Sequence, residues 1–434
     1  MANKLYLLLI AALSAVMAYR YPDLPPGPYC GQGGQSQCCS NRQDTCSHQI
    51  LGTLCYCDQF CNRTLAHDDC CPDYEEVCLG VSPPPEYIGK SCEDKGKKYY
   101  PPEKIMKDCN TCKCEQKSPG VAEWVCEDDP CLMSSEVLEN INRGGYRWRA
   151  ANYSQFYGKK LKDSMIYKLG TLPLSPETKR MGPIRHNKDV TYPTNFDARE
   201  VWPGYISPIV DQGWCGSDWA VAIAGVMSDR FAIQSNGAEN LQLSPQSLLS
   251  CNRRMQRGCD GGHIDVAWNF AKNQGIVDDE CYPYEATASQ CKLHRRASLI
   301  EDGCEPPASV PQRTSRYKVG PPGRLQKEID IMYDIMQSGP VHAIMTVYQD
   351  FFHYRDGVYR RSGFGNNQLQ GLHSVRVIGW GEERGEKYWL VANSWGDWWG
   401  ENGYFKIARG DNESGIESFV VTILCDVTES YRKK

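Results

Sequence analysis

Beyond residue 18 the chain has no apolar run approaching the roughly 18 residues of a membrane helix, so no spanning segment is expected. Charge of one sign is not in excess either. Lys and Arg number 48 against 53 Asp and Glu, a formal net charge of -5 over 434 residues, and this leaves no electrostatic footprint for nucleic acid. A clean paired CxxC…CxxC arrangement is missing, which in a secreted chain argues against structural zinc, and no motif asks for a cofactor or metal. Residues 132 to 190 contain no cysteine. Disulfides therefore cannot hold that stretch, and its aromatics, among them Trp148, Tyr153 and Phe156, need a partner surface.

Cysteine itself is abundant, at 23 residues, which suits an oxidising compartment. Residues 1–18, MANKLYLLLIAALSAVMA, join an early Lys, a short apolar run and small residues ending at Ala18, and read as a secretory signal peptide. Sequons at Asn62, Asn152 and Asn412 add three candidate glycosylation sites. The expectation is a secreted glycoprotein of the extracellular space or matrix.

Residues 30–78 hold ten cysteines, too many for a conventional core, so disulfides must carry this segment. Cys55-Tyr-Cys57-Asp58 through Cys61, then Asp69-Cys70-Cys71-Pro72-Asp73-Tyr74 and Cys78, resemble the somatomedin B pattern. Two cysteines exceed that module's usual eight, and the connectivity stays open. The proline-rich break VSPPPE at 81–86 reads as a spacer. Residues 88–131 follow with Cys109-Asn-Thr-Cys112-Lys-Cys114 and Trp124-Val-Cys126, a pattern similar to a von Willebrand factor type C module, which implies either binding of protein or matrix or a passive spacer.

The remaining motifs lie far apart. Asp211-Gln212-Gly213-Trp214-Cys215-Gly216-Ser217-Asp218-Trp219 precedes a dense apolar run that reads as a buried helix. His373 stands in Gly371-Leu372-His373-Ser374-Val375 ahead of an apolar strand, and Asn393 in Ala392-Asn393-Ser394-Trp395-Gly396. Together and in this order they resemble the papain-type cysteine peptidases, and cathepsin B in particular. The resemblance implies an α+β fold, with a helical lobe and a β-barrel-like lobe, over residues 191–428, preceded by the small disulfide-rich modules. It makes residues 132–190 similar to the cathepsin B propeptide, which lies along the active-site cleft until cleaved. It also implies Gln212 as oxyanion donor, His373 as catalytic imidazole and Asn393 as its orienting residue.

Where the family has its nucleophilic cysteine, this chain has Asp218. A carboxylate attacking an amide would have to form a mixed anhydride, so peptide hydrolysis is not expected. Three other uses of the position stay open: a helix cap by Ser217 or Asp218, an ion pair with His373, and a general base toward water. By resemblance Cys215 is bonded to Cys259 of Cys259-Asp260-Gly261-Gly262. Cys251, Cys281, Cys291, Cys304 and Cys425 make the count in this region odd, with Cys425 the candidate for a free thiol or an external bond. The insertion carrying Cys291 and Cys304 stands at the place of the cathepsin B occluding loop, and its His294, Arg295 and Arg296 form either an anion or carboxylate site or a solvated basic loop.

This module order resembles the tubulointerstitial nephritis antigen family, which implies a non-catalytic binder of extracellular or matrix proteins, of glycans, or of a lipid-modified Wnt-type ligand. The alternatives are residual hydrolysis at Asp218 and inhibition of other proteases by residues 132–190.

Overall fold

The computed structural model describes residues 27–31, 38–50, 53–61, 69–80, 91–118, 121–185 and 190–431. The expected signal peptide, the 81–86 spacer and Asn62 lie outside the described residues. The chain divides into two compact units, one of Met1–Pro102 with Cys114–Glu123, the other of Glu103–Lys113 with Trp124–Lys434. The division runs through the 88–131 segment and not along either of its ends.

In the first unit the ten cysteines of residues 30–78 form five disulfides, Cys30–Cys57, Cys38–Cys78, Cys39–Cys46, Cys55–Cys71 and Cys61–Cys70. Cystine sulfur, with Ile50 and Tyr74, replaces an aliphatic core here. The two acidic residues of the motif have backbone partners. Asp58, buried, accepts from the amides of Gln43, Phe60 and Cys61, and Asp73 accepts from those of Cys30 and Gly31. A hairpin follows from Cys92–Asp94 to Lys97–Tyr99, turning at Lys95 and Gly96, whose φ values of 50° and 79° suit a primed two-residue turn.

The second unit is papain-like, with two hydrophobic cores. One is built around the helix Asp218–Gln234, whose run of small and aliphatic residues is buried on nearly every side. The helices Pro245–Cys251 and Ile264–Asn273 pack with it, the former started by Ser244, whose hydroxyl accepts from the Ser247 amide ahead of Pro245 in the first turn. The other core covers a nine-stranded sheet. Its order is Gly323–Leu325, Val420–Thr422, Val341–Val347, Gly371–Glu383, Glu386–Ala392, Tyr404–Ala408, Tyr354–Tyr359 and Trp148–Ala150, with Phe196–Asp197 added on Gly371–Glu383. Pairing is antiparallel except between Tyr354–Tyr359 and Tyr404–Ala408. Gly371–Glu383 is continuously buried from His373 to Gly381, as a central strand rich in Val and Ile should be.

The aromatics of residues 132–190 find their surface on this sheet. Trp148–Ala150 adds an antiparallel edge strand on Tyr354–Gly357, with a shift of register between Tyr354 and Asp356. Phe156, fully buried, packs edge-on against Phe352, Trp395 and Trp398 at ring-centre distances of 5.7, 5.8 and 5.0 Å. Burying a side chain of this size contributes about 1.5–3 kcal/mol before the aromatic contacts are counted. From this anchor the chain passes through the helix Leu161–Lys168 to Leu169-Gly170-Thr171-Leu172.

Candidate functional site

Asp218 begins the central helix, and neither it nor Ser217 caps that helix through a side chain. The Ser217 hydroxyl bonds to the Tyr284 hydroxyl instead, a contact within the domain that takes it away from the helix amides. The Asp218 carboxylate, fully buried, turns toward residues 170 and 171. Its Oδ1 accepts from the Gly170 amide at 2.6 Å. Its Oδ2 accepts from the Thr171 hydroxyl at 2.6 Å and from the Ser374 amide at 2.8 Å. Three donors and the positive end of a helix therefore surround this carboxylate.

His373 enters from the central strand and is also fully buried. Its Nε2 lies 2.7 Å from Oδ1 of Asn393, and its ring is tilted against Trp395 at 5.1 Å. Nδ1 sits 3.3 Å from Oδ2 of Asp218, within ion-pair reach but without hydrogen-bond geometry. Protonated, the ring forms a carboxylate–imidazolium pair, while Asn393 sets its orientation.

Gln212 completes the group. Its Nε2 donates to the carbonyls of Cys215 at 2.8 Å and Lys168 at 3.3 Å, while its Oε1 accepts from the Ser394 hydroxyl at 2.6 Å. The amide that the peptidase resemblance makes an oxyanion donor is shared between two carbonyls of the chain itself.

The segment 169–172 lies between the two cores. Leu172 donates its amide to the Gly262 carbonyl and Gly262 donates to the Gly170 carbonyl, at 3.0 and 2.9 Å, giving a parallel bridge of Thr171 with Gly262. On its other side Thr171 bridges Leu372 antiparallel. Only glycine fits at 170, because a Cβ there would stand 1.8 Å from the Gly216 carbonyl oxygen. Just upstream, Lys168 is 2 % exposed, with Nζ 5.1 Å from the Trp214 ring centre, 5.5 Å from that of Phe156 and 3.7 Å from Asp211 Oδ1. Burial pushes its ammonium down to about 8, with Asp211 opposing the shift.

The structure thus brings Gln212, Asp218, His373 and Asn393 together. His294, Arg295 and Arg296 stand elsewhere. His294 is tied by its backbone amide and its ring to Asp302, and Arg295 and Arg296 line a separate cavity with Lys318 and Arg316. Cys215 is bonded to Cys259, Cys251 to Cys291 and Cys281 to Cys304, while Cys425 carries no disulfide. Asn152 and Asn412 are exposed. Sequence reasoning missed Gly170, Thr171, Ser374 and Ser394 as members of the site. The Gly-Thr pair offered a weak signal, since glycine allows close backbone approach, but nothing local names Asp218 as the partner.

The model of the papain family cysteine proteases matches residues 192–424. A tubulointerstitial nephritis antigen-like protein of Rattus norvegicus is 40% identical over 92% of this chain and 88% of its own length. The tubulointerstitial nephritis antigen of Homo sapiens is 39% identical over 93% and 88%. Among solved structures, procathepsin B S9 from Trypanosoma congolense superposes with a TM-score of 0.60 at 28% identity, covering 69% of this chain and all of that one. The chain belongs to the tubulointerstitial nephritis antigen family, cathepsin B-like proteins with a papain-family domain.

Proposed function

We propose that this chain is a secreted, non-catalytic glycoprotein whose peptidase-like cleft is occupied by its own residues 169–172 and which acts by binding extracellular partners through its other surfaces. One observation carries the reading. The carboxylate at the nucleophile position is fully buried and accepts hydrogen bonds from Gly170, Thr171 and Ser374. A group held this way has no open approach for a substrate carbonyl or an attacking water, and it lacks a thiolate's nucleophilicity. Loss of the nucleophile in a comparable triad costs on the order of 10⁶ in kcat. The general-base use of Asp218 meets the same obstacle, and the propeptide-like segment is engaged within the chain and not free to inhibit another protease.

With the cleft filled, the binding role falls to the disulfide-rich modules and the outer faces of the larger domain. Matrix proteins, glycans and a lipid-modified signalling ligand are the partner classes of this reading. Eleven disulfides suit an extracellular setting, and the exposed Asn152 and Asn412 are open to glycosylation.

The test is labelling and turnover of the purified secreted protein. An epoxide-type active-site probe is expected not to react, and peptide substrates are expected to stay intact. Asp218→Cys alone is expected to remain unlabelled while 169–172 stays seated. Peptide cleavage that disappears in both Asp218→Ala and His373→Ala would overturn the proposal.

A further inference from the structure

A cavity of 540 Å³ opens between residues 273–274, 295–301 and 314–318, and neither Gln212, Asp218, His373 nor Asn393 lines it. Its charge is opposite to that of the chain. The formal net charge over 434 residues is -5, yet four cations, Arg295, Arg296, Arg316 and Lys318, line this cavity against one carboxylate, Glu301, whose Oε2 accepts from the Ser298 amide at 2.6 Å. The walls are fastened to each other. Asp302 Oδ1 accepts from the His294 amide at 2.8 Å, the Leu299 amide donates to the Thr314 carbonyl at 2.9 Å, and Cys291 and Cys304 on either side of the loop are bonded to Cys251 and Cys281.

One of the four cations is nearly buried yet keeps a nitrogen open. Arg316 is 4% exposed; its Nε and Nη2 donate to Asp302 Oδ2 at 3.0 and 2.5 Å and its Nη2 also donates to the His294 carbonyl, whereas its Nη1 has no hydrogen bond and is not closed off from solvent. Because Arg316 lines the cavity, that nitrogen is a donor held in place there. Asp302 balances the charge of Arg316, and nothing pairs with the other three. Among the described residues, Arg295 and Arg296 are exposed, and neither they nor Lys318 has an ion pair or a side-chain hydrogen bond. Lys318 acts on Asp426 only through space, helping to lower its carboxyl. A concavity lined by one sign of charge focuses its field and concentrates ligands of the other sign.

A single oxyanion would leave most of this space empty, since the volume falls among small-molecule sites, about 300–1,000 Å³. No aromatic ring lines it, which removes the stacking surface that a nucleobase or an aromatic peptide side chain would use. Instead the side-chain amides of Asn273 and Gln274 and the Thr314 hydroxyl, none of them hydrogen-bonded within the chain, offer donors and acceptors side by side. Guanidinium groups hold oxyanions through paired N–H donors. A ligand with several oxyanions spaced along a scaffold of hydroxyls answers both sets of groups, whereas an acidic peptide brings carboxylates and few hydroxyls. We propose that this cavity binds a sulfated glycan, which names one partner class of the function proposed above and rests on the chain being secreted.

Calorimetric titration of the full-length secreted protein with a heparin-derived tetrasaccharide tests this. Binding is expected, and the chemically desulfated tetrasaccharide is expected to bind at least about tenfold more weakly, as loss of charge-assisted hydrogen bonds requires. Arg295→Gln combined with Arg296→Gln is expected to weaken the sulfated sugar by a similar factor with an unchanged unfolding midpoint. Arg295→Gln alone, at an exposed position, serves if the double variant does not fold. Lys387→Gln removes a positive charge at an exposed site on the strand Glu386–Ala392 and should leave the affinity as it was. Absence of binding at millimolar sugar, equal binding of the desulfated sugar, unaltered affinity in the cavity variants, or an equal loss in Lys387→Gln overturns the proposal. Binding of a capped tetraglutamate peptide without binding of the tetrasaccharide overturns the glycan source. None of these results alters the labelling and turnover outcome that tests the absence of catalysis, so the two readings fail separately.

Discussion

The amide of Gly170 donates to Oδ1 of Asp218 at 2.6 Å, joining the start of the central helix to a residue 48 positions earlier. With the Thr171 hydroxyl on Oδ2, the Asp218 side chain becomes the anchor of residues 169–172.

Asp218→Asn tests that anchor. The substitution keeps the shape but removes the charge and puts an amide NH₂ among three donors. A loss of about 1–3 kcal/mol is expected, the range for a buried group deprived of its hydrogen bond, read by urea unfolding. Amide exchange at Gly170 and Ser374 should accelerate. Unchanged stability together with unchanged protection of both amides rules out the anchor.

Gly170→Ala tests the close approach. The added methyl would meet the Gly216 carbonyl at 1.8 Å, so residues 169–172 must shift away from Gly216 and Gly262. Limited proteolysis is expected to cut between Lys168 and the short helix Pro176–Lys179 much faster than in the parent chain. The sheet core, with Phe156 seated in it, should keep its near-ultraviolet spectrum. Identical proteolysis patterns would mean that the segment is not held by this contact.

Lys168 makes stability depend on alkaline pH. Its ammonium is pushed down from 10.5 to about 8 by burial, so between these values the unfolded chain binds more protons than the folded one. Stability attributable to this residue therefore rises as pH climbs from about 8 to 10.5, and below 8 the buried charge opposes folding throughout. Lys168→Met keeps the apolar stem and should flatten that rise. The check is the difference in urea midpoint between the two proteins at roughly pH 7.5, below the window, and roughly pH 10, near its upper end. A parallel pair of curves contradicts the assignment.

Cys425 has no disulfide partner, and burial of its sulfur pushes the thiol pKa well up. The native protein is expected to show no thiol reactive toward an aromatic disulfide reagent at neutral pH, and the denatured, unreduced protein to show one. A reactive native thiol, or none after denaturation, contradicts this pairing scheme.

Much of the site could be read from short motifs. Gln212, Asp218, His373 and Asn393 each lie in a local pattern, and the two lobes of the papain-like fold bring the four together. The helix-cap reading of Ser217 and Asp218 did not survive. Both side chains have partners from elsewhere in the fold, Tyr284 for Ser217 and residues 170, 171 and 374 for Asp218. The loop of His294, Arg295 and Arg296 was legible as basic, but its seat was not. Asp302 and Arg316 hold it, through Asp302 contacts to His294 and an Arg316 bond to the His294 carbonyl.

The amino-acid sequence alone determined the chemistry at position 218, the need for disulfides in residues 30–78 and the need of Trp148, Tyr153 and Phe156 for a surface. These are properties of side chains and of composition, and they do not depend on distance in space. Tertiary structure decided what those side chains meet: the five pairings among ten cysteines, the edge strand Trp148–Ala150 on Tyr354–Tyr359, and Gly170 and Thr171 on Asp218. Each joins groups far apart in the chain or chosen from several equal candidates. Local propensity carries no information about such pairs, because only the packing of the two cores fixes the distances between them.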